Sequence, residues 1–224
     1  MVNTNRIFVS MPSGSDIPVH TAKSLMEWQM HRKTPSIFSF KLDTYIEKAR
    51  NEAVVQAVQA NATHLMFIDS DMYFPPDGVD RLLAHKKDIV GGLYFGRMHP
   101  KPMAFRIKDN QSVSVDPRIE KGVVEVDFIG TGFMLIDMKV FQKLEPPFFS
   151  FSYHPEDIGL PATGDKFAPK GEDVFFCMYA KKNGFKVYCD TDLKLGHVGQ
   201  RVYGERDFLL YKENPEHYEK LPSF

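Results

Sequence analysis

The sequence predicts an α/β fold in which a mainly parallel central sheet is flanked by helices. Three observations lead there. Strand-like apolar runs alternate with helix-forming stretches through residues 6–100. One of those runs, Leu65 to Ile68, ends abruptly in Asp69-Ser70-Asp71, and Pro75 and Pro76 forbid any further strand. Much later, Val174 to Tyr179 is apolar nearly all round, the mark of a deeply buried helix, and it opens on Gly171-Glu172-Asp173.

Taken in order, Arg6 to Ser10 reads as a first strand, stopped by the turn Met11-Pro12-Ser13-Gly14. Thr21 to Arg32 has helix-forming composition, and Ser36 to Phe40 is a second short strand. From Thr44 a helix carries Ile46, Ala49, Ala53, Ala57 and Ala60 at spacings of three and four, a small-residue stripe suited to close packing on a sheet. The strand ending at Asp69 follows. Pro76 and Asp77 then open a helix with Val79, Leu82 and Leu83 inward, and Asp88 to Phe95 is a fourth strand. Pro102 to Ile107 and Val123 to Phe128 look like a pair of strands around a polar excursion, 108–122, the best candidate for a mobile loop. After Gly130-Thr131-Gly132, the strand Phe133 to Ile136 is expected to run into a helix capped by Asp137, with Val140, Phe141 and Leu144 buried. The stretch 146–170 is long, irregular and rich in Pro and aromatics. The helix opened at Gly171 ends at Lys182-Asn183-Gly184, a C-cap signature. Lys186 to Cys189 and Leu193 to Leu195 are short strands, followed by Gly196-His197-Val198-Gly199 and a helix-like tail from Asp207. The second half thus predicts a smaller antiparallel elaboration on the main sheet. The whole reads as one domain over 1–224, with halves at 1–100 and 101–206. The polar tail, 207–224, suits a linker to a further domain.

Composition narrows the function. A chain of 224 residues, 43% hydrophobic and 25% charged, can bury a substantial core. Its formal net charge of −1 argues against non-specific nucleic-acid binding, so any ligand phosphate must be met locally. Cys177 and Cys189 lie in apolar contexts and read as buried free thiols, which suits a reducing, cytoplasmic compartment. No signal peptide is evident, nor a run long enough to span a membrane.

Chemistry concentrates at three places. Asp69 and Asp71 sit where a buried strand meets the carboxyl edge of an α/β sheet, the edge at which ligands bind. Acids at i and i+2 repel, and a hard divalent cation relieves that repulsion, although an isolated Asp-x-Asp is also an ordinary solvated turn. Glu172 and Asp173 start a helix whose dipole favours their ionised form, which fits either capping or a general base. His197 is flanked by glycines at 196 and 199, which let its backbone approach another group closely, though a lone histidine is commonly structural.

Together these motifs resemble the GT-A class of nucleotide-sugar-dependent glycosyltransferases over residues 6 to 200. Its parts are Asp69-Ser70-Asp71 after the third strand, Ala49-Arg50-Asn51 on the helix before it, Gly130-Thr131-Gly132 before an apolar strand, Gly171-Glu172-Asp173, and His197. The segments Phe67 to Pro76 and Ile89 to Phe95 look most like small glycosyltransferases of phages and large DNA viruses, which would place the protein in a host cytoplasm. The resemblance implies a GT-A fold with a Rossmann-like nucleotide half. It also implies that Asp71, with Asp69 assisting or contacting the ribose, holds Mn²⁺ or Mg²⁺ on the donor diphosphate, and that His197 is the third ligand. A mixed carboxylate–imidazole set suits Mn²⁺ better than Mg²⁺. Ser10, Met11, Pro12, Ser13, Gly14, Arg50 and Ser70 would contact the donor, a UDP-sugar by analogy. The second-strand end, Phe40 to Asp43, departs from the family's polar pattern, and Asp43 would substitute there. Asp173, with Glu172 as fallback, would deprotonate the hydroxyl of a carbohydrate or other acceptor in an inverting displacement. Gly130, Thr131, Gly132 and the 146–170 loop would shape the acceptor side; Phe149, Phe151 and Tyr153 suit either stacking on sugar rings or core packing.

Other readings compete. Haloacid-dehalogenase-like phosphatases carry Asp-x-Asp on their first strand with a Thr four residues later, whereas here it ends the third and position 73 is Tyr. A nucleotidyltransferase making nucleotide-sugars is closer in fold but wants a basic phosphate loop after the first strand, and Pro12 to Asp16 holds no cation. A non-catalytic nucleotide- or carbohydrate-binding module is the third alternative; it would not need Glu172 and Asp173. Gly130-Thr131-Gly132 is no dinucleotide fingerprint, because the third Gly is missing and a strand follows.

Overall fold

The computed structural model describes residues 5–14, 16–42, 45–97, 99–109, 111–152, 170–199 and 202–216. In chain order the elements are β1 (Ile7–Ser13), α1 (Val19–His31), β2 (Ser36–Leu42), α2 (Ile46–Gln59), β3 (His64–Ile68), β4 (Met72–Tyr73), α3 (Gly78–Ala84) and β5 (Ile89–Gly92). Then come β6 (Ala104–Lys108), β7 (Gln111–Ser114), β8 (Val123–Val126), β9 (Phe128–Ile129), β10 (Phe133–Asp137) and α4 (Glu172–Lys182). The last are β11 (Val187–Asp190), β12 (Gly196–Val198), β13 (Val202–Tyr203) and α5 (Glu205–Glu213).

A 7-stranded sheet in the order β2-β1-β3-β10-β5-β11-β8 forms the centre. β1, β2, β3, β5 and β11 point one way, while β10 and β8 run against them. The fold is therefore mixed α/β with a mostly parallel sheet. Two 3-stranded antiparallel sheets, β13-β12-β4 and β7-β6-β9, complete it.

The inner strands β3, β10 and β5 are buried on both faces, which explains why they read as continuous apolar runs, while the edge strand β2 is half exposed. Successive side chains of β3 go to opposite cores: Leu65 and Phe67 join Ala53, Ala57 and Phe176 on one side. Met66 and Ile68 join Trp28, Val79 and Leu82 on the other. The small stripe of α2 behaves as its spacing predicts, with Ala49, Ala53 and Ala57 fully buried. Both cysteines are free and buried, and burial raises the Cys177 thiol to about 12. No helix among the described residues is long and apolar enough to cross a membrane.

Several local expectations are corrected. β1 does not stop at Met11 but runs to Ser13; beyond Ser10 it is flanked only by β2, where Pro12 is tolerated. The strands at 102–107 and 123–128 meet only at the end of the second, where Phe128 pairs with Phe105. β6 pairs with β7 and β9, while β8 joins the edge of the main sheet through β11. The excursion 108–122 is therefore in part a hairpin, turning at Asp109 with a positive φ of 49°. After β10 the chain makes turns, not a helix, although Val140, Phe141 and Leu144 are buried as expected. Pro146 and Pro147 follow too soon for a helix to extend. Leu193 to Leu195 is not a strand, and strand geometry begins at Gly196.

One buried carboxylate ties α3 to β11. Asp190, fully buried, accepts from Arg81 at 2.6 and 2.9 Å, lies 2.8 Å from Nε2 of His85 and receives the amides of Asp192 and Leu193. Burial alone would raise its pKa, but Arg81 and His85 outweigh it and hold the carboxyl below its usual range. Because the folded value is depressed, the stabilisation is complete above the unfolded carboxyl pKa of about 3.9 and is lost as pH falls through the folded value. Asp190→Ala should cost roughly 1–3 kcal/mol, since it strands the amides beside a buried position, while Arg81, about a third exposed, can turn to water. A shift of the urea midpoint at pH 7 measures this, and the gap to wild type should close in acid.

Candidate functional site

Five parallel strands bring their carboxyl ends to one edge, and the reversed β10 brings its amino end, Gly130 to Gly132, to that same edge. Asp69 follows β3 directly; its amide donates to the Gly132 carbonyl at 2.9 Å, and its own carbonyl accepts from Met72 at 3.1 Å. This tight turn presents Asp69 and Asp71 at the mouth of the sheet, as the Pro-terminated strand predicts.

Arg50 is the centre of the site. It is only 2% exposed, on the sheet side of α2. Nη2 donates to Oδ1 of Asp69 at 3.1 Å, and Nε donates to Oε1 of Glu172 at 2.9 Å. The guanidinium lies 5.1 Å from the centroid of the Phe67 ring. Burial opposes its charge, but Asp69, Glu172 and Asp173 outweigh that and raise its pKa. Nη1 is buried with no hydrogen-bond partner among the described residues. Next to it, Asn51 pins the chain at 148–149 through the Phe148 amide at 2.8 Å and the Phe149 carbonyl at 2.7 Å.

Asp71 has different partners. Its Oδ1 lies 3.3 Å from Nε2 of His197, and its Oδ2 accepts from Arg97 at 2.7 Å. Burial works to raise the Asp71 carboxyl, but His197 and Arg97 outweigh it and lower its pKa. His197 comes from β12, which lies beside β4, and the Val198 amide donates to the Asp71 carbonyl at 2.7 Å. Nδ1 of His197 is 3.0 Å from the Phe95 carbonyl, an acceptor only, so Nδ1 carries a proton and Nε2 faces the carboxylate. An imidazole oriented by a backbone carbonyl beside a carboxylate is a donor pair for a cation. Asp69, by contrast, is turned to Arg50, and no group of three or more His, Cys, Asp and Glu side chains is gathered for a metal among the described residues. Of the expected ligand set, Asp71 and His197 are brought together, and Asp69 is held apart by its ion pair with Arg50.

The two acids of α4 divide. Glu172, 8% exposed, is committed to Arg50. Asp173 is half-buried and lines a cavity of about 300 Å³. Its Oδ1 accepts the Val174 amide at 2.7 Å, and a side chain at Gly171 would place its Cβ 2.7 Å from that oxygen. The helix dipole does not depress Asp173 as the sequence suggests. Burial and the neighbouring Glu172 charge dominate, and the carboxyl is raised to about 6. Tyr94 lies between these groups. Its hydroxyl accepts the Gly132 amide at 3.3 Å, and its ring packs edge-on to His197 with centroids 5.4 Å apart. A Cβ at Gly130 would fall 2.0 Å from that hydroxyl, so Gly130 and Gly132 make room for Tyr94. Burial, with Asp69 and Asp173 near, pushes the Tyr94 pKa well above its ordinary value.

A second cleft of about 690 Å³ opens where β1 and β2 end, lined by Pro12, Ser13, Gly14, Lys41, Tyr45, Ile46 and Lys48. Three of the expected donor residues therefore line it. Ser10 and Met11 do not: both are wholly buried within β1. Ser70 is half-buried in the turn between the two acids, and Thr131 is buried. Phe149 is a core residue stacked on Phe176 at 4.6 Å, which removes it as a sugar platform, whereas Phe151 is exposed. Asp43 and Tyr153 lie outside the described residues, as does 153–169 of the expected loop. Sequence reasoning missed Tyr94, Arg97, Tyr45 and the two lysines of the cleft. Tyr45, 82% exposed at the start of α2, was the most findable, as a large aromatic directly before a helix at the sheet's carboxyl edge.

No protein-family model matches the chain, and no curated protein matches it. Among solved structures it is similar to A197 from STIV, with 19% identity, TM-score 0.61, and coverage of 87% of this chain and 86% of that one. The inositol-1-phosphate CTP transferase from T. maritima is more distant, with 12% identity, TM-score 0.49, and coverage of 87% and 89%. The likeness to A197 extends over most of both chains and is a likeness of fold.

Proposed function

We propose that the protein is a nucleotide-sugar-dependent glycosyltransferase of the GT-A type. One observation carries the reading: two carboxylates of one turn and a separate carboxylate, Asp173, share a sheet edge, and only Asp173 lines the cavity beside them. The cleft at Pro12 to Gly14 takes the nucleoside diphosphate, a uridine nucleotide by resemblance, with Tyr45 available to the base and Lys41 and Lys48 to phosphate. Asp71 and His197, with Asp69 as third ligand, would hold Mn²⁺ or Mg²⁺, whose chemistry when bound is to offset the charge on the departing diphosphate. Asp173 accepts the proton of the acceptor hydroxyl. Val174 holds its Oδ1, which leaves Oδ2 for that proton. A pKa of about 6 keeps the group ionised at neutral pH yet basic enough to act.

A nucleotidyltransferase is the second reading, and one observation favours it. Lys41 and Lys48 bring to the β1 loop the cations that its own sequence lacks, although both also pair with Glu52 at 2.8 and 3.9 Å. Incubation with UTP and a sugar 1-phosphate separates the two: release of pyrophosphate supports the second reading, and transfer from a UDP-sugar supports the first.

Donor binding should depend on metal. UDP with Mn²⁺ should raise the melting temperature, and UDP with EDTA much less; equal stabilisation in both would remove the metal from the account. Asp71→Ala should abolish the metal-dependent part and leave the fold intact, because Asp71 stands at the sheet's mouth.

Asp173→Asn should lower turnover by roughly 10²–10⁴-fold with UDP binding retained. The group is faced by Glu172, Arg50 and Asp69, and its raised pKa sets the acidic limb of activity. Turnover should be level above pH 7 and fall about tenfold per unit below pH 6. Glu172→Gln should act differently, lowering stability through the loss of the Arg50 pair. A flat pH profile, or full activity in Asp173→Asn, would exclude Asp173 as the base.

A further inference from the structure

The cavity beside Asp173 is walled by Met103 and Phe105 from the β6 region, Phe128 of β9 and Val174 of α4. Phe105 and Phe128 stack on each other at 5.0 Å between centroids and an interplanar angle of 20°. Among the described residues its polar groups are few: the Asp173 carboxylate, Ser112 on the exposed β7 strand and Lys170, with Gly130 contributing backbone. At about 300 Å³ it stands at the lower end of ligand sites, the size for one ring and not for an extended chain.

We infer that this cavity, bounded by the small β7-β6-β9 sheet and the start of α4, is the acceptor subsite, and that the acceptor is a ring-sized alcohol with an apolar face. The inference rests on the transferase reading above. Four carbon walls against three polar side chains decide the class. A fully hydroxylated monosaccharide would lose water from several hydroxyls for which the described lining offers few partners. An aromatic or alicyclic alcohol, free or as the aglycone end of a glycoside, meets the same walls with its apolar face. The hydroxyl of the free alcohol, or a sugar hydroxyl of the glycoside, then reaches the carboxylate. In the transfer, the hydroxyl oxygen forms a bond to the anomeric carbon of the donor sugar, and the bond from that carbon to the diphosphate oxygen breaks. The electron pair leaves with the diphosphate, and the hydroxyl proton passes to Asp173. The β6–β7 hairpin is then the specificity element of the protein.

Binding is tested first on the whole chain without donor or metal, by ligand-observed NMR with 2-phenylethanol, phenyl β-D-glucoside and D-glucose. The expected result is that at least one aromatic probe binds at least tenfold more tightly than glucose. Ser112→Trp, an exposed rim substitution, should fill the cavity and weaken that probe at least tenfold with an unchanged melting temperature. Phe105→Ala should weaken it as well, but it also removes a stacked ring, so Ser112→Trp carries the test. Binding of both aromatic probes points to a simple alcohol, and binding of the glucoside alone points to a glycoside aglycone; either supports the inference. Glucose binding as tightly as both aromatic probes, or aromatic binding indifferent to Ser112→Trp, overturns it. Transfer is then assayed with a UDP-sugar and Mn²⁺. Transfer to free sugars alone, undiminished by Ser112→Trp, removes this subsite and leaves the transferase reading. Aromatic binding at this site with no transfer to any acceptor removes that reading and leaves the cavity's ligand class.

Discussion

A guanidinium buried between two carboxylates organises the site. Arg50 holds Asp69 at 3.1 Å and Glu172 at 2.9 Å, and those acids belong to the two different halves of the chain. In a low-dielectric setting such an arrangement is costly to desolvate and worse to leave half-made, so each member depends on the other two. Arg50 fixes how far the β3 turn stands from the start of α4. It also sits over Phe67, which packs edge-on to Phe149, which in turn stacks on Phe176 of α4. The polar cluster and the aromatic core beneath it are one assembly.

Around that pair, four acids are sorted into different environments. Asp69 and Glu172 share Arg50, and Asp71 is met by Arg97 and His197. Asp173 has an amide from its own helix and the nearby Arg50 charge, and burial with the Glu172 charge outweighs both. Neighbouring groups with separated proton affinities are how a protein gives similar side chains different tasks. Here the partner set, not the residue type, makes the difference.

Much of this was legible in the sequence because it is local. The strand stopped at Asp69, the alanine stripe of α2, and the Gly171 opening and Gly184 closing of α4 are all written within a few residues. What was not legible is pairing over distance. Nothing near Phe133 says that β10 slots antiparallel between β3 and β5, and nothing near Val123 says that β8 leaves β6 for the edge of the main sheet. Tyr94 was hidden for the same reason. Its significance comes from Gly130 and Gly132, which lie across the sheet from it and leave room for its ring, while Gly130 also lines the cavity beside Asp173. The direction of the Asp173 shift was misjudged because a helix start was weighed without its burial.

The reversal of β10 also bears on how such a chain can diversify. The cleft at the end of β1 is built from residues 12–48, and the cavity beside Asp173 from residues 103–174. The two compartments are encoded by separate stretches of the chain, and the loop that feeds β10 contributes Gly130 to the second. Substitutions, insertions or exchange of the β6–β7 hairpin can therefore remodel one compartment while leaving the other's coding segment untouched. A lineage built on this plan is free to drift in one ligand and be held constant in the other.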